Sequence, residues 1–152
     1  MIIAIGADHR GFAQKQFIIQ SLHDLKIAGT VIELLDVGSF NEQRSDYPEY
    51  AIAVCKALGQ GKAQLGILLC GTGVGMTIVA NRFAGIYAGL AWTDEIAHLN
   101  REHDNVNVLV LPSDYISHEQ AVKMIMVWLD AQFLGDRYKE RIVMIDKLGG
   151  VR

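Results

Sequence analysis

The feature that most constrains this chain is an alternation. Short, almost unbroken apolar runs are separated by longer segments whose apolar residues recur at helical spacing. The apolar runs are Ile2–Ala7, Val31–Val37, Leu65–Cys70, Ile86–Ala91 and Val106–Leu111. A strand can be apolar on both faces only where both faces are covered, as in a parallel sheet sandwiched between helices. The spacing predicts helices over Phe12–Leu25, from Pro48 to the stop at Gly59-Gln60-Gly61, and from the glycine-rich loop after Cys70 to about Arg82. It predicts three more over Asp94–Glu102, Glu119–Phe133 and Tyr138–Leu148. In the first helix Phe17, Ile18, Leu22 and Leu25 form the inner face, with Lys15, Gln16, Gln20 and Asp24 on the other side. Tyr50, Val54, Ala57 and Leu58 do the same for the second. The expected architecture is α/β and Rossmann-like: one domain over residues 1–152, a doubly wound sheet of five parallel strands in the order 2-1-3-4-5, helices on both faces.

Composition narrows the function classes. At 152 residues with 51% apolar and 20% charged, the chain can bury a core without disulfide or metal staples. Fourteen basic against 17 acidic residues give a net charge of −3, which argues against a nucleic-acid surface. No stretch approaches a membrane span. Cys55 and Cys70 lie in different apolar contexts, so free thiols and a reducing, cytoplasmic setting are expected. The opening MIIAIGADHRG has no basic lead and reads as a first strand rather than a signal peptide.

In an open parallel sheet, ligands bind beyond the carboxyl ends of the strands, where strand order reverses. In the expected order that point lies between strands one and three. The residues that follow those strands are Asp8-His9 and Cys70-Gly71-Thr72-Gly73-Val74-Gly75. An acid, an imidazole, a thiol and a glycine-rich loop therefore converge without having been selected for their chemistry. The loop could cradle a phosphate or an oxyanion with its N–H groups, or could be only a tight strand-to-helix turn. It is not a P-loop, since no Lys-Ser/Thr follows, and it does not sit after the first strand as a dinucleotide fingerprint would. Cys70 reads either as a small core residue or as a thiolate stabilised by the loop. Cys55 reads as packing, and Met76, Met124, Met126 and Met144 as core fillers.

Of the histidines, His9 follows the first strand, and His103 sits in a polar knot, Arg101-Glu102-His103-Asp104-Asn105, at a helix end that suits a proton donor. His23, His98 and His118 read as surface or partly packed. No ligand spacing for a metal occurs. Arg137 and Arg141 share a helix face, either as a solvated stripe pairing with Asp136 or Glu140, or as a two-pronged anion clamp.

With these residues in view, the chain resembles the ribose-5-phosphate isomerase type B and galactose-6-phosphate isomerase family essentially end to end. The resemblance is carried by Gly6-x-Asp8-His9-x-Gly11-Phe12, Arg44-x-Asp46-Tyr47-Pro48, Ile67-x-x-Cys70-Gly71-Thr72-Gly73-Val74-Gly75, Ala80-Asn81-x-Phe83-Ala84-Gly85, Arg101-x-His103 before Asn107-Val108-Leu109, and Arg137-x-x-x-Arg141. It implies the same α/β fold and an aldose–ketose isomerase working through a cis-enediolate, with no metal or cofactor. By that resemblance Cys70 is the base, relatives without it using a Glu at the position of Met76. Gly71, Thr72, Gly73, Val74 and Gly75 form the anion hole, His103 opens the sugar ring, and Asp8 assists. His9, Arg137 and Arg141 hold the phosphate, Tyr47 lies beside the sugar, and Asn81 and Asp104 join the substrate site. The family forms homodimers, some pairing into tetramers, with active sites shared between subunits. The C-terminal helix, about 136–149, is then expected to pack on the partner and bring the arginines across.

Two departures accompany the resemblance. Asp104 stands where many relatives have Asn. Leu111-Pro112-Ser113-Asp114 stands where ribose-phosphate relatives carry an Arg-bearing turn. The substrate implied is ribose 5-phosphate, interconverted with ribulose 5-phosphate in the pentose phosphate pathway. The alternatives are a hexose phosphate, an unphosphorylated sugar such as allose or psicose, or a non-catalytic sugar-phosphate-binding module. Asp114 and Asp104 are the residues that keep those alternatives open.

Overall fold

A computed structural model describes residues 1–27 and 29–148 of the chain. The expected helix to residue 149 and domain to residue 152 therefore run past the described residues at their ends. Thirteen elements follow in order: β1 (Ile2–Ala7), α1 (Phe12–Ser21), β2 (Lys26–Ile27), β3 (Thr30–Val31), β4 (Glu33–Asp36), α2 (Tyr47–Gly59), β5 (Leu65–Cys70), α3 (Val74–Ala80), β6 (Ala88–Leu90), α4 (Asp94–Asp104), β7 (Val108–Pro112), α5 (His118–Asp130) and α6 (Asp136–Leu148). The five apolar runs pair in parallel as one sheet, so the α/β class holds. The expected Val31–Val37 strand is broken: β3 pairs with β2 as a small antiparallel hairpin, and only β4 joins the main sheet.

Strand order is β4-β1-β5-β7-β6. The expected sequence 2-1-3 is present, but the last two strands are exchanged, so the order is 2-1-3-5-4. The cause is legible in burial. β7, Val-Leu-Val-Leu-Pro, is buried at every position and belongs inside the sheet. β6 has three residues, all half-buried, which suits an edge.

Alternation along the inner strands divides the core in two. Ile3, Ile5, Ile67, Leu69, Leu109 and Leu111 face α1, α4 and α5, where Trp128 is wholly buried and donates its indole N–H to Val106 O at 3.2 Å. Ala4, Leu68, Cys70, Val108 and Val110 face α2 and α3, packing on Val54, Cys55 and Met76. The Cys70 side chain thus lies on the α2/α3 side. Lys15, expected on the outer face of α1, is 0% exposed; its ammonium lies 2.5 Å from Asp36 Oδ1 at the end of β4 and beside the Phe12 and Phe40 rings. An ion-pair partner inside the fold overrode the helical pattern there.

Candidate active site

Three strands deliver the site at the carboxyl edge of the sheet. Adjacent ends are tied by backbone hydrogen bonds: Asp8 N–H to Leu69 O at 3.2 Å, Ser113 N–H to Cys70 O at 2.9 Å, and Asp114 N–H to Gly71 O at 3.1 Å. The turns after β1, β5 and β7 therefore lie side by side. Asp8 is 6% exposed, and its Oδ1 accepts the backbone N–H groups of Arg10 (2.9 Å) and Gly11 (3.1 Å), which fixes the turn. His9 projects half-buried from that turn, its Nδ1 3.3 Å from both the N–H and the C=O of Ser45.

Cys70 ends β5, 5% exposed, and its Sγ accepts the N–H of Gly73 at 3.2 Å. Gly73 has φ +77°, a left-handed conformation that turns its N–H back onto the sulfur and that glycine adopts without strain. Thr72 stands exposed beyond it, Oγ1 accepting the Val74 N–H at 3.4 Å. Tyr47, first residue of α2, lays its ring against Gly75, where a Cβ would lie 2.5 Å from the tyrosine Cζ. The structure thus brings together Asp8, His9, Tyr47, Cys70 and the whole Gly71–Gly75 loop. Burial pushes the Cys70 thiol up, the Gly73 N–H opposes it, the Asp8 charge adds to the rise, and the Met76 and Thr72 N–H groups favour the thiolate, for a net increase.

A second group lies at the opposite edge. The chain leaves the carboxyl end of β6 into α4, and α4 returns toward the amino end of β7, so its last turn carries His103 and Asp104 to the amino edge. Val106 N–H donates to Asn100 O, and Asn107 N–H to Tyr87 O, just before β6. α6 docks there too, Tyr87 OH donating to Asp146 at 2.7 Å, and the segment leading into α6 is tied by Leu134 N–H to Glu102 O at 3.1 Å. The length of β7 puts roughly 15 Å of strand between the two groups. Within one chain His103 therefore lies away from Asp8 and Cys70, because α4 runs against the strands.

This amino-edge group has its own geometry. The His103 ring stacks on Tyr138 with centroids 4.3 Å apart and planes 9° apart. The guanidiniums of Arg137 and Arg141 lie 4.9 and 5.5 Å from the same tyrosine ring, and Arg137 donates to its hydroxyl at 3.0 Å. Both arginines are exposed, and among the described residues neither forms an ion pair with Asp136 or Glu140. Glu102 lies between His98 (3.5 Å) and His103 (3.4 Å). Tyr138 and Glu102 were not singled out in the sequence; a tyrosine between two arginines at helical spacing is the signal that was there to use.

Asn81 joins neither group. Its amide donates to Thr77 O and Ala88 O at 3.1 and 2.9 Å, while its Oδ1 accepts the Ala88 N–H at 2.9 Å, so the side chain pins β6 to α3. A cleft of about 660 Å³ is bounded by residues 81–87 and by Ile145, Asp146 and Leu148, apart from the thiol. Met144, expected in the core, is 67% exposed on α6 with Val143, Ile145 and Leu148. Among the described residues no cluster of three or more metal-ligating side chains occurs, and no helix is long and apolar enough to cross a membrane.

A profile of the Ribose/Galactose Isomerase family matches residues 3–145. The chain is 40% identical to ribose-5-phosphate isomerase B of Escherichia coli over 143 residues, 94% of this chain and 93% of that protein. It superposes on the ribose 5-phosphate isomerase of Thermotoga maritima with a TM-score of 0.89 and 41% identity, covering 96% of this chain and 97% of that one. With the Mycoplasma genitalium ribose-5-phosphate isomerase B, solved with bound ribulose-5-phosphate, the TM-score is 0.86 and identity 34%, over 96% and 94% of the two chains.

Proposed function

We propose that this chain, which belongs to the ribose/galactose isomerase family and is an isomerase, interconverts ribose 5-phosphate and ribulose 5-phosphate. The observation that carries the reading is the Cys70 thiol at the switch point, held by the Gly73 N–H and flanked by Asp8 and His9. The ribulose-5-phosphate bound to the Mycoplasma genitalium relative supports a phosphorylated substrate.

In this reading the Cys70 thiolate takes the proton from C2 of the open aldose. The C–H electron pair becomes the C1=C2 bond, and the carbonyl π pair moves onto O1. N–H groups of Gly71, Gly73, Val74 and Gly75, with the Thr72 hydroxyl, stabilise the enediolate oxygens. A proton passes from O2 to O1, and the Cys70 thiol returns its proton to C1, leaving a carbonyl at C2. Atoms and charge balance with no cofactor. His103 opens the ring with Asp8, Tyr47 flanks the sugar, and His9, Arg137 and Arg141 hold the phosphate, with Asp104 beside His103.

Those last groups belong to two edges of one chain, so the complete site takes His103, Asp104, Arg137 and Arg141 from a second copy. The exposed apolar residues of α6 support its packing on that partner, in a homodimer or a tetramer of dimers. The two free thiols fit the cytoplasm, where the reaction serves carbohydrate metabolism in the pentose phosphate pathway.

A panel of pentose and hexose phosphates, with free ribose and allose beside them, tests the substrate. Ribose 5-phosphate should give the highest kcat/KM, and Cys70→Ala should lower it by about a thousandfold or more. Full activity in Cys70→Ala, or preference for an unphosphorylated sugar, would overturn the reading.

A further inference from the structure

We propose that Arg10 is a substrate ligand of this chain: an exposed cation, fixed over the Cys70 loop by Asp114, that grips the phosphate end of the sugar. The inference rests on the sugar-phosphate reading above, and three observations carry it.

The first is delivery. Arg10 follows Asp8 and His9, and Asp8 Oδ1 accepts its backbone N–H at 2.9 Å, so the turn that places Asp8 at the edge also places Arg10. The second is where its side chain lies. A Cβ added at Gly71 would sit 2.9 Å from the Arg10 Nε, 3.0 Å from its Cζ and 2.7 Å from Asp114 Oδ2. The guanidinium and carboxylate are thus folded across the residue directly after Cys70, and glycine there is what admits them. The third is unused capacity. Nη2 is paired with Asp114, while Nε and Nη1 have no hydrogen-bond partner among the described residues, and 57% of the side chain is exposed. A guanidinium carries five donors in a planar fork matched to phosphate oxygens, so holding one edge leaves the remainder for a ligand.

An exposed ion pair by itself contributes little to stability. This one has a different consequence, because it sets the charge at the mouth of the site. Asp114 alone would repel a phosphate dianion; paired, the two charges offset each other, and Asp114 orients a guanidinium whose unpaired N–H donors meet the phosphate oxygens. The cation therefore comes from the turn after β1, and Asp114, after β7, is its positioning residue.

The test uses the full-length enzyme. Arg10→Ala should raise KM for ribose 5-phosphate, and its calorimetric Kd, about ten- to hundredfold, the range of one hydrogen bond to a charged group. kcat should stay within about twofold and free ribose should be handled as by the unaltered protein, the pattern of lost uniform binding. Arg10→Lys should recover part of the loss. Arg10→Ala/Asp114→Ala should bind more tightly than Arg10→Ala, since the uncompensated carboxylate is gone. If the unaltered enzyme isomerises ribose 5-phosphate and Arg10→Ala matches it in KM and Kd, Arg10 is not a ligand and the substrate reading stands. If the unaltered enzyme does not isomerise it but binds inorganic phosphate with Arg10-dependent affinity, the reading fails and the Arg10 site stands. Phosphate affinity indifferent to Arg10 overturns the inference in either case.

Discussion

Burial and backbone pull the Cys70 thiol in opposite directions. Desolvation is the larger effect and raises its pKa above the ordinary thiol value, despite the Gly73 N–H aimed at the sulfur. In the proposed reaction the base is the Cys70 thiolate, whose fraction in the free enzyme grows as pH rises toward that elevated pKa. kcat/KM should therefore climb through neutral pH and still be rising at pH 8 on the limb that Cys70 controls. Iodoacetamide modification of Cys70, followed by mass spectrometry, should show the same climb. Cys55 supplies an internal comparison: buried in α2, it is pushed up to about 11 and should stay unmodified over that range. A plateau of both profiles below pH 7 would mean a depressed thiol pKa and a different balance at the loop. The choice of Cys70 over Cys55 was legible in sequence, since only one ends a strand beside a glycine-rich loop. The sign of its shift was not, because burial against Met76 and α2 is a tertiary fact.

Among the elements, α1 and β4 are locked by Lys15 and Asp36, and Asp36 Oδ1 also accepts the Gly38 N–H at 3.0 Å, where the chain turns toward the His9 region. Lys15 is fully enclosed while Asp36 is 26% exposed, so the two partners are not equivalent. Asp36→Ala strands a buried ammonium and should destabilise the fold by about 3 kcal/mol; Lys15→Met, which leaves a partly hydrated carboxylate, should cost less. Urea unfolding of both variants decides the order. α5 carries a reciprocal cap, Ser117 Oγ accepting the Gln120 N–H and Gln120 Oε1 accepting the Ser117 N–H. Ser117→Ala should cost about 1 kcal/mol and leave kcat unchanged. β5 was readable to the residue, because an unbroken apolar run between a glycine stop and a glycine loop admits one reading. The β7–β6 exchange was not. Both strands are apolar, and only the full burial of β7 against the half-burial of β6 separates inner strand from edge. Lys15 misled for a related reason: helical periodicity records polarity, and a polar residue with a buried partner breaks the correspondence between polar and outward.

For the whole molecule, the direction of α4 determines what one chain can and cannot contain. Asp8, His9, Cys70 and the glycine loop were legible together, because the switch-point rule needs only the strand ends and the central order. His103 and the arginine pair were legible as chemistry but not as a location, since that depends on α4 running back, on the Leu134–Glu102 bond before α6 and on α6 docking through Tyr87–Asp146. In the proposed reaction both groups serve one site, which takes two chains, each giving its carboxyl edge to one site and its amino edge to the other. Subunit mixing makes this quantitative. Cys70→Ala chains retain the arginines, and Arg137→Ala/Arg141→Ala chains retain the thiol, so neither is active alone. Random pairing gives half hybrids, and each hybrid holds one intact site of two, so mixing should restore about a quarter of full specific activity. The recovered activity should show the unaltered KM for ribose 5-phosphate, because the surviving site lacks nothing. If exchange is verified by mass and activity stays at the level of the separate variants, each chain must complete its own site, and α6 would have to reach the carboxyl edge by a rearrangement that breaks its Asp146–Tyr87 bond and the Leu134–Glu102 bond before it.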